Sequence, residues 1–180
     1  MGYGILEVGR GSGHREKALL AMGVLKLDKF ASHYDRLLKI HEGVSALIRR
    51  YKPSALAIEA PFYGKNVQSM LKLGRGQGAA IIAAKSAGIP VAEYAPSTIK
   101  KAITGRGNAS KEQVKLFLQK ELQIPESAFL EALDATDAVA VALCHHLTPL
   151  FGTFSPGGKR TRPSASWADF AKQNPDKIKR

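Results

Sequence analysis

The sequence predicts an α/β protein in which a mixed sheet carries helices on both faces. Two strand-like segments come first, at 2–8 and 18–27, and helical and strand-like patterns alternate after them. One of the later strand-like segments, 54–59, runs directly into a carboxylate, Glu59, and is stopped by Pro61. Strands that precede alternating helices and strands are typical of a sheet with both antiparallel and parallel neighbours.

Each element has its own signal. A glycine-rich hairpin loop joins the first two strands, and residues 31–51 place apolar side chains at helical spacing before the strand that ends at Glu59. A second helix over 67–88 ends at a glycine, and a strand over 89–96 follows it. Ser110 is a predicted N-cap.

The last two helices complete the pattern. The first of them covers 110–122, and the second covers "ALDATDAVAVALCHH" at 132–146. A chain of 180 residues suffices for one domain with a core but not for two of ordinary size. We therefore predict a domain over 1–150 and a tail over 151–180, which is flexible because "SPGGKRTRPSAS" has a linker composition.

Charge is the strongest compositional signal. The formal net charge is +12 and the pI is about 9.9, and seven basic against two acidic residues lie in the tail. A basic surface binds polyanions, so nucleic acid is the leading partner and an acidic lipid surface the weaker alternative. The sequence has a single cysteine, and it contains neither an apolar run long enough to span a membrane nor a signal-peptide pattern. We therefore predict a cytoplasmic protein without a membrane partner.

Carboxylates at two places in the sequence are candidate site residues. Glu59 ends a covered strand, and open α/β sheets carry their chemistry at the carboxyl ends of strands; the alternative is a glutamate in water or in a salt bridge. Asp134 and Asp137 lie three apart on one helical face, where they could simply cap the helix and complement its dipole. If that helix is buried, the aspartate pair is costly without a cation. Oxygen ligands without His or Cys suit Mg²⁺ or Mn²⁺.

Other residues carry weaker signals. Phe62 and Tyr63 follow Glu59 in a loop, where an aromatic ring could stack on an unpaired base or pack over the sheet edge. Arg106 and Lys111 flank "GRGNAS", which suits phosphate contact, although a solvated charge is the usual case.

The end of the last helix and the glycine-rich segment have ordinary interpretations. Cys144, His145 and His146 are interpreted as a helix end whose cations complement the dipole, because no further ligands occur at zinc-like spacing. The segment "GRGQG" lies in a helical pattern with no "GK[ST]" after it, which excludes a nucleotide loop.

Four segments, in order, resemble the RuvC family, bacterial Holliday junction resolvases with a ribonuclease-H-like fold. They are "AIEAPFYGKN", "LKLGRGQGAAIIAA", "VAEYAPSTIKKAITGRGNASKEQV" and "ALDATDAVAVALCHH". The resemblance covers about residues 2 to 150 and implies that Glu59, Asp134 and Asp137 are catalytic metal ligands. It also implies that Phe62 meets the junction bases and that Lys100 and Lys111, both in the third segment, line the path of the scissile strand.

The resemblance further implies hydrolysis of a phosphodiester by two metal ions, Mg²⁺ or Mn²⁺. Symmetric cleavage of a four-way DNA junction implies a homodimer, and RuvA and RuvB are implied as partners. One feature departs from the family pattern, which opens with a "GIDPG" strand whose aspartate is the first metal ligand. This sequence begins "MGYG", so we expect that strand to be missing from it, through a start assigned too late or a real loss of catalysis.

Three functions remain open at this point. The first is a metal-dependent junction endonuclease, and the second is a protein that binds junctions by shape and charge without cleaving them. The third is another ribonuclease-H-like enzyme that acts on RNA or on a different DNA branch, because the carboxylate set is common to that fold.

Overall fold

The computed structural model describes residues 1–9, 17–29, 32–61, 66–126 and 133–148. All of them lie within one compact unit, Met1–Pro149. The predicted tail over 151–180 lies outside the described residues, so its flexibility and the domain boundary stay predictions.

The described strands form two sheets of two strands each. Strand β1 (Gly2–Val8) pairs antiparallel with β2 (Lys17–Val24), and β3 (Leu56–Glu59) pairs parallel with β4 (Val91–Tyr94). The predicted α/β class and both kinds of strand pairing are confirmed, although the two pairs are not hydrogen-bonded into one sheet. Strand β2 is shorter than the sequence predicts, because its pairing with β1 ends at Val24.

Five helices lie in the described parts of the chain. They are α1 (His33–Tyr51), α2 (Val67–Ser86), α3 (Pro96–Thr104), α4 (Lys111–Leu122) and α5 (Leu133–Leu147). As predicted, Ser110 caps α4, and it forms a capping box with Gln113. Helix α3 was not predicted; it begins with Pro96 at its first turn and ends at Gly105, whose φ is 76°. None of these helices is both long enough and apolar enough to cross a membrane.

Two apolar clusters hold the described elements together. The larger one surrounds α5 and includes the fully buried side chains of Leu118, Val139, Leu143 and Cys144. The smaller one lies between α1 and α2 and contains Ile40, Val44, Ala80 and Ala83. The pattern of buried residues therefore makes α5 the central helix of the larger cluster.

Glycines allow β1 and α5 to approach each other closely. A Cβ atom on Gly4 would lie 2.6 Å from Val139 Cγ2 and 3.0 Å from the Val139 backbone. A Cβ on Gly2 would collide with the backbone carbonyl of Asp134. The "GYG" of β1 is thus explained by contact with the helix that carries the acidic pair, since no larger side chain fits there.

Candidate metal and nucleic-acid site

Glu59 is the last residue of β3, as the sequence predicts for a site at a strand end. It is paired with Tyr94, the last residue of β4, and Ala60 N donates a hydrogen bond of 2.8 Å to Tyr94 O. Gln77 of α2 donates through Nε2 to the backbone oxygen of Glu59 at 2.7 Å. The backbone that carries the Glu59 carboxylate is therefore held by both a strand and a helix.

The Glu59 carboxylate lies in a mixed electrostatic environment. Glu59 is exposed at the end of β3, but neighbouring protein atoms still desolvate its carboxylate and raise its pKa, and the negative charge of Asp137 raises that pKa further. Lys111 and Lys100 act in the opposite direction and lower the pKa of Glu59. The structure thus brings two carboxylates and two ammonium groups from four different elements into one electrostatic cluster.

The positions of Lys111 and Lys100 in their helices determine how exposed the two lysines are. Lys111 is the first residue of α4, directly after the capping serine, and its Nζ lies 3.4 Å from Asp137 Oδ2. Lys111 and Asp137 are 79% and 55% exposed, so this pair faces solvent and contributes little to stability. Lys100 lies in α3 and is half-buried. A phosphate would have access to the Lys111 ammonium group.

Asp134 occupies the first turn of α5 but is not among the groups that shift the pKa of Glu59. Its Oδ2 lies 4.0 Å from the Met1 amino nitrogen, and its side chain is 69% exposed. The expectation of a buried acidic pair was therefore wrong. Helix α5 turns Ala135 and Val139 into the core, and this leaves Asp134 and Asp137 on its outer side.

A divalent cation fits this donor set chemically. Glu59 and Asp137 offer carboxylate oxygens, and a bound cation would relieve the repulsion from Asp137 that, after desolvation, contributes to the raised pKa of Glu59. Within the described ranges, no three His, Cys, Asp or Glu side chains come close enough to hold a metal ion. The assignments of Glu59, Asp137 and Asp134 as metal ligands stay predictions.

Two sets of candidate nucleic-acid contacts remain. Phe62 and Tyr63 lie outside the described residues, so their contact with bases stays a prediction. Arg106 is exposed, and its backbone N–H donates to Thr104 Oγ1 at 3.2 Å while its carbonyl accepts from the same hydroxyl at 3.1 Å. The loop after α3 is therefore tied to the end of that helix.

At the end of α5, Cys144 is buried and His145 is half-buried. His145 Nδ1 and the Tyr94 hydroxyl lie 2.7 Å apart, and burial lowers the pKa of His145. The interpretation of His145 as a helix-end cation was wrong, because desolvation favours the neutral ring. Cys144 is completely buried, and burial raises the pKa of its thiol.

Comparisons with known proteins give a consistent result. The family model for crossover junction endodeoxyribonuclease RuvC matches residues 1–145. The RuvC of Porphyromonas gingivalis is 50% identical over 99% of this chain and 91% of its own length, and that of Bacteroides fragilis is 49% identical over 99% and 90%.

Solved structures are similar as well. The Thermus thermophilus RuvC structure has a TM-score of 0.71 at 32% identity, covering 84% of this chain and 90% of its own. The structure of T. thermophilus RuvC in complex with Holliday junction substrate has a TM-score of 0.71 at 29% identity, covering 83% and 88%. This chain belongs to the RuvC family of crossover junction endodeoxyribonucleases.

Proposed function

We propose that this protein is a metal-dependent endonuclease that cleaves four-way DNA junctions by hydrolysing phosphodiester bonds, in recombination and repair. The observation that carries the proposal is the cluster of Glu59 and Asp137 beside Lys111 and Lys100. Carboxylates alone would repel a phosphate, whereas carboxylates flanked by ammonium groups can hold a cation and a phosphate side by side. Family membership and the junction complex of the Thermus relative support this substrate.

The acidic and the basic side chains of the site have different proposed roles. Glu59 and Asp137, with Asp134 as a proposed further ligand, would hold Mg²⁺ or Mn²⁺, two ions per site. When bound, such ions activate a water and stabilise charge on the leaving oxygen. Lys111 and Lys100 orient the scissile strand by contact with its phosphates. Gln77 and the β3–β4 pairing keep Glu59 in place during this process.

We propose that the active form is a homodimer, since two equivalent strands of a junction are cut. The outer face of α2 supports this assembly. Val67, Leu71 and Ile82 are 63%, 53% and 59% exposed, and a Cβ on Gly74 or Gly78 would meet no atom within 4 Å. These five residues, here called the α2 stripe, recur at helical spacing on one side of α2.

Glycine weakens a helix, and the fold itself gives no reason for it at these positions. Gly76, by contrast, faces inward, where a Cβ would lie 3.4 Å from Ile40 Cδ1. A second copy of α2 that packs closely against Gly74 and Gly78 would explain why side chains are missing there. The α2 stripe is therefore the proposed dimer contact.

Further partners follow from the family alone. We propose that RuvA and RuvB deliver the junction and that the protein acts in the cytoplasm.

A protein that binds junctions without cutting them is the second candidate. It is favoured by one observation, that no three ligand side chains converge in the described ranges. The two candidates share the lysines and differ in the need for a metal.

Cleavage and binding on the same junction separate these candidates. Glu59→Gln should abolish Mg²⁺-dependent cleavage of a synthetic four-way junction and leave its gel-shift affinity nearly unchanged, because ligands hold metal while lysines hold phosphate. Glu93→Gln is the matched control, since Glu93 is an exposed glutamate of the adjacent strand. Cleavage by Glu59→Gln at the wild-type rate would refute the metal-ligand assignment. Binding without cleavage by the wild type would favour the second candidate, and preference for an RNA–DNA duplex would favour a different enzyme of this fold.

A further inference from the structure

We propose that the hydrogen bond between Tyr94 and His145 is a positioning device that fixes the rotation of α5, so that Asp137 meets Glu59. The inference rests on the proposed function, because it concerns the geometry of the same carboxylates. Neither Tyr94 nor His145 is proposed to touch the substrate or the metal. They are positioning residues that act through the two elements on which the carboxylates lie.

The bond joins the two halves of the site. Tyr94 ends β4 directly opposite Glu59, and its ring is buried, with 4% of the residue exposed. His145 lies in α5, the helix that carries Asp134 and Asp137. The Tyr94 hydroxyl and His145 Nδ1 are 2.7 Å apart, and the two rings meet edge to face with centroids 5.8 Å apart. One short contact thus links the strand end of Glu59 to the helix of the aspartates.

The groups suit this contact chemically. Burial lowers the pKa of His145 and raises the pKa of the Tyr94 phenol. A neutral imidazole can accept at Nδ1, and a protonated phenol can donate to it. The pair therefore forms a directional bond without a buried charge.

Most other contacts of the buried α5 surface are not directional. Its buried residues are Thr136 and the apolar Ala135, Val139, Ala140, Val141, Leu143 and Cys144. Dispersion contacts are individually weak and not directional, whereas a hydrogen bond weakens steeply when its angle changes. The Tyr94–His145 bond therefore adds a directional contact to the close packing of Val139 on Gly4, and both resist a turn of the helix about its axis.

A small rotation has a large effect on a metal site. A side chain on a helix ends about 5–6 Å from the axis, so a rotation of about 10° moves it by about 1 Å. Metal–ligand distances are held within about 0.2 Å. Because 3.6 residues make one turn, Asp134 and His145 lie three turns apart on nearly the same side of α5. Fixing His145 therefore fixes the direction in which Asp134 leaves the helix.

The test uses Tyr94→Phe in the intact protein, since this change removes only the hydroxyl. Loss of a group that orients a metal ligand typically costs about 10- to 100-fold in metal affinity or activity. We expect the Mn²⁺ concentration for half-maximal junction cleavage to rise about tenfold, at the lower end of that range. The rise in melting temperature that saturating Mn²⁺ causes without DNA should become smaller for the same reason. His145→Leu should reproduce both effects. His145→Gln should show smaller effects than His145→Leu, because its amide can pair with the phenol. The double variant Tyr94→Phe/His145→Leu should be no worse than either single change.

Ile40→Val is the control for a merely structural role. Ile40 lies in the α1–α2 cluster, and its truncation should lower the melting temperature by a few degrees, as Tyr94→Phe should. We expect Ile40→Val to leave the Mn²⁺ midpoint unchanged. Equal Mn²⁺ midpoints in Tyr94→Phe and Ile40→Val would overturn the positioning role. Failure of the wild type to respond to Mn²⁺ in either assay would instead refute the proposed function.

Discussion

Replacing the two outer glycines of α2 by alanine should make the folded monomer more stable and the dimer weaker. In Gly74→Ala/Gly78→Ala, neither new methyl group meets any atom of the same chain within 4 Å. Glycine in a helix interior costs about 1 kcal/mol relative to alanine, so the double change should stabilise the monomer by about 2 kcal/mol. For a chain of this size, that corresponds to a rise in melting temperature of about 4–8 °C.

The effect on the dimer has the opposite sign. Extra methyl groups in a closely packed contact typically cost about 1–3 kcal/mol, which corresponds to dimer dissociation that is about 5- to 150-fold easier. Sedimentation equilibrium measures the dissociation constant of the dimer. Thermal melting at protein concentrations below that constant measures the stability of the monomer.

The inward-facing glycine of the same helix provides the control. Gly76→Ala also replaces a helical glycine, but its methyl group would contact Ile40 inside the subunit. We expect this variant to retain the wild-type dissociation constant. If the double variant dimerises as tightly as the wild type, or if Gly76→Ala alone dissociates, the α2 stripe is not the dimer contact.

Three further changes test the site and its support. Because the fold raises the pKa of Glu59 above its ordinary 4.5, ionisation of this carboxylate costs stability at neutral pH and not below pH 4.5. The melting temperature of Glu59→Gln should accordingly be higher than that of the metal-free wild type at pH 7 and equal to it near pH 4. A difference in melting temperature that does not depend on pH would contradict this. Lys111→Ala should weaken junction binding and reduce its salt slope by about one, measured by titration at several salt concentrations. Gly4→Ala should cost about 1–3 kcal/mol in urea unfolding, because its methyl group would overlap Val139.

Periodicity and end signals predicted most of the described elements. The Ser110 cap, the alternating elements and the carboxylate at the end of β3 were visible in the sequence because they depend on neighbouring residues. Helix α3 had usable signals in Pro96 and Gly105, but no element was predicted between the strand over 89–96 and the helix over 110–122. The exposure of the aspartates was missed because an apolar helical run does not reveal which side of the helix is buried.

The site could be predicted only in part. The carboxylates were found from their positions, whereas Lys100 depended on the family resemblance. The contact between Tyr94 and His145 joins residues 51 apart in the sequence, and no local pattern indicates such a contact. Gln77 left one trace that could have been used, since it is a polar residue between two glycines, directly before an apolar run of the helix.

The glycine contact between β1 and α5 has a consequence for synthesis on the ribosome. Gly2 and Asp134 meet although they lie near opposite ends of the described chain. At about 5–20 residues per second, β1 leaves the ribosome several seconds before α5 exists. During that interval the glycine face of β1 has no covering helix, and a bare strand surface can pair with other chains. The acidic pair is therefore brought into place late, and we expect nascent chains that end before α5 to depend on chaperones more than complete ones do.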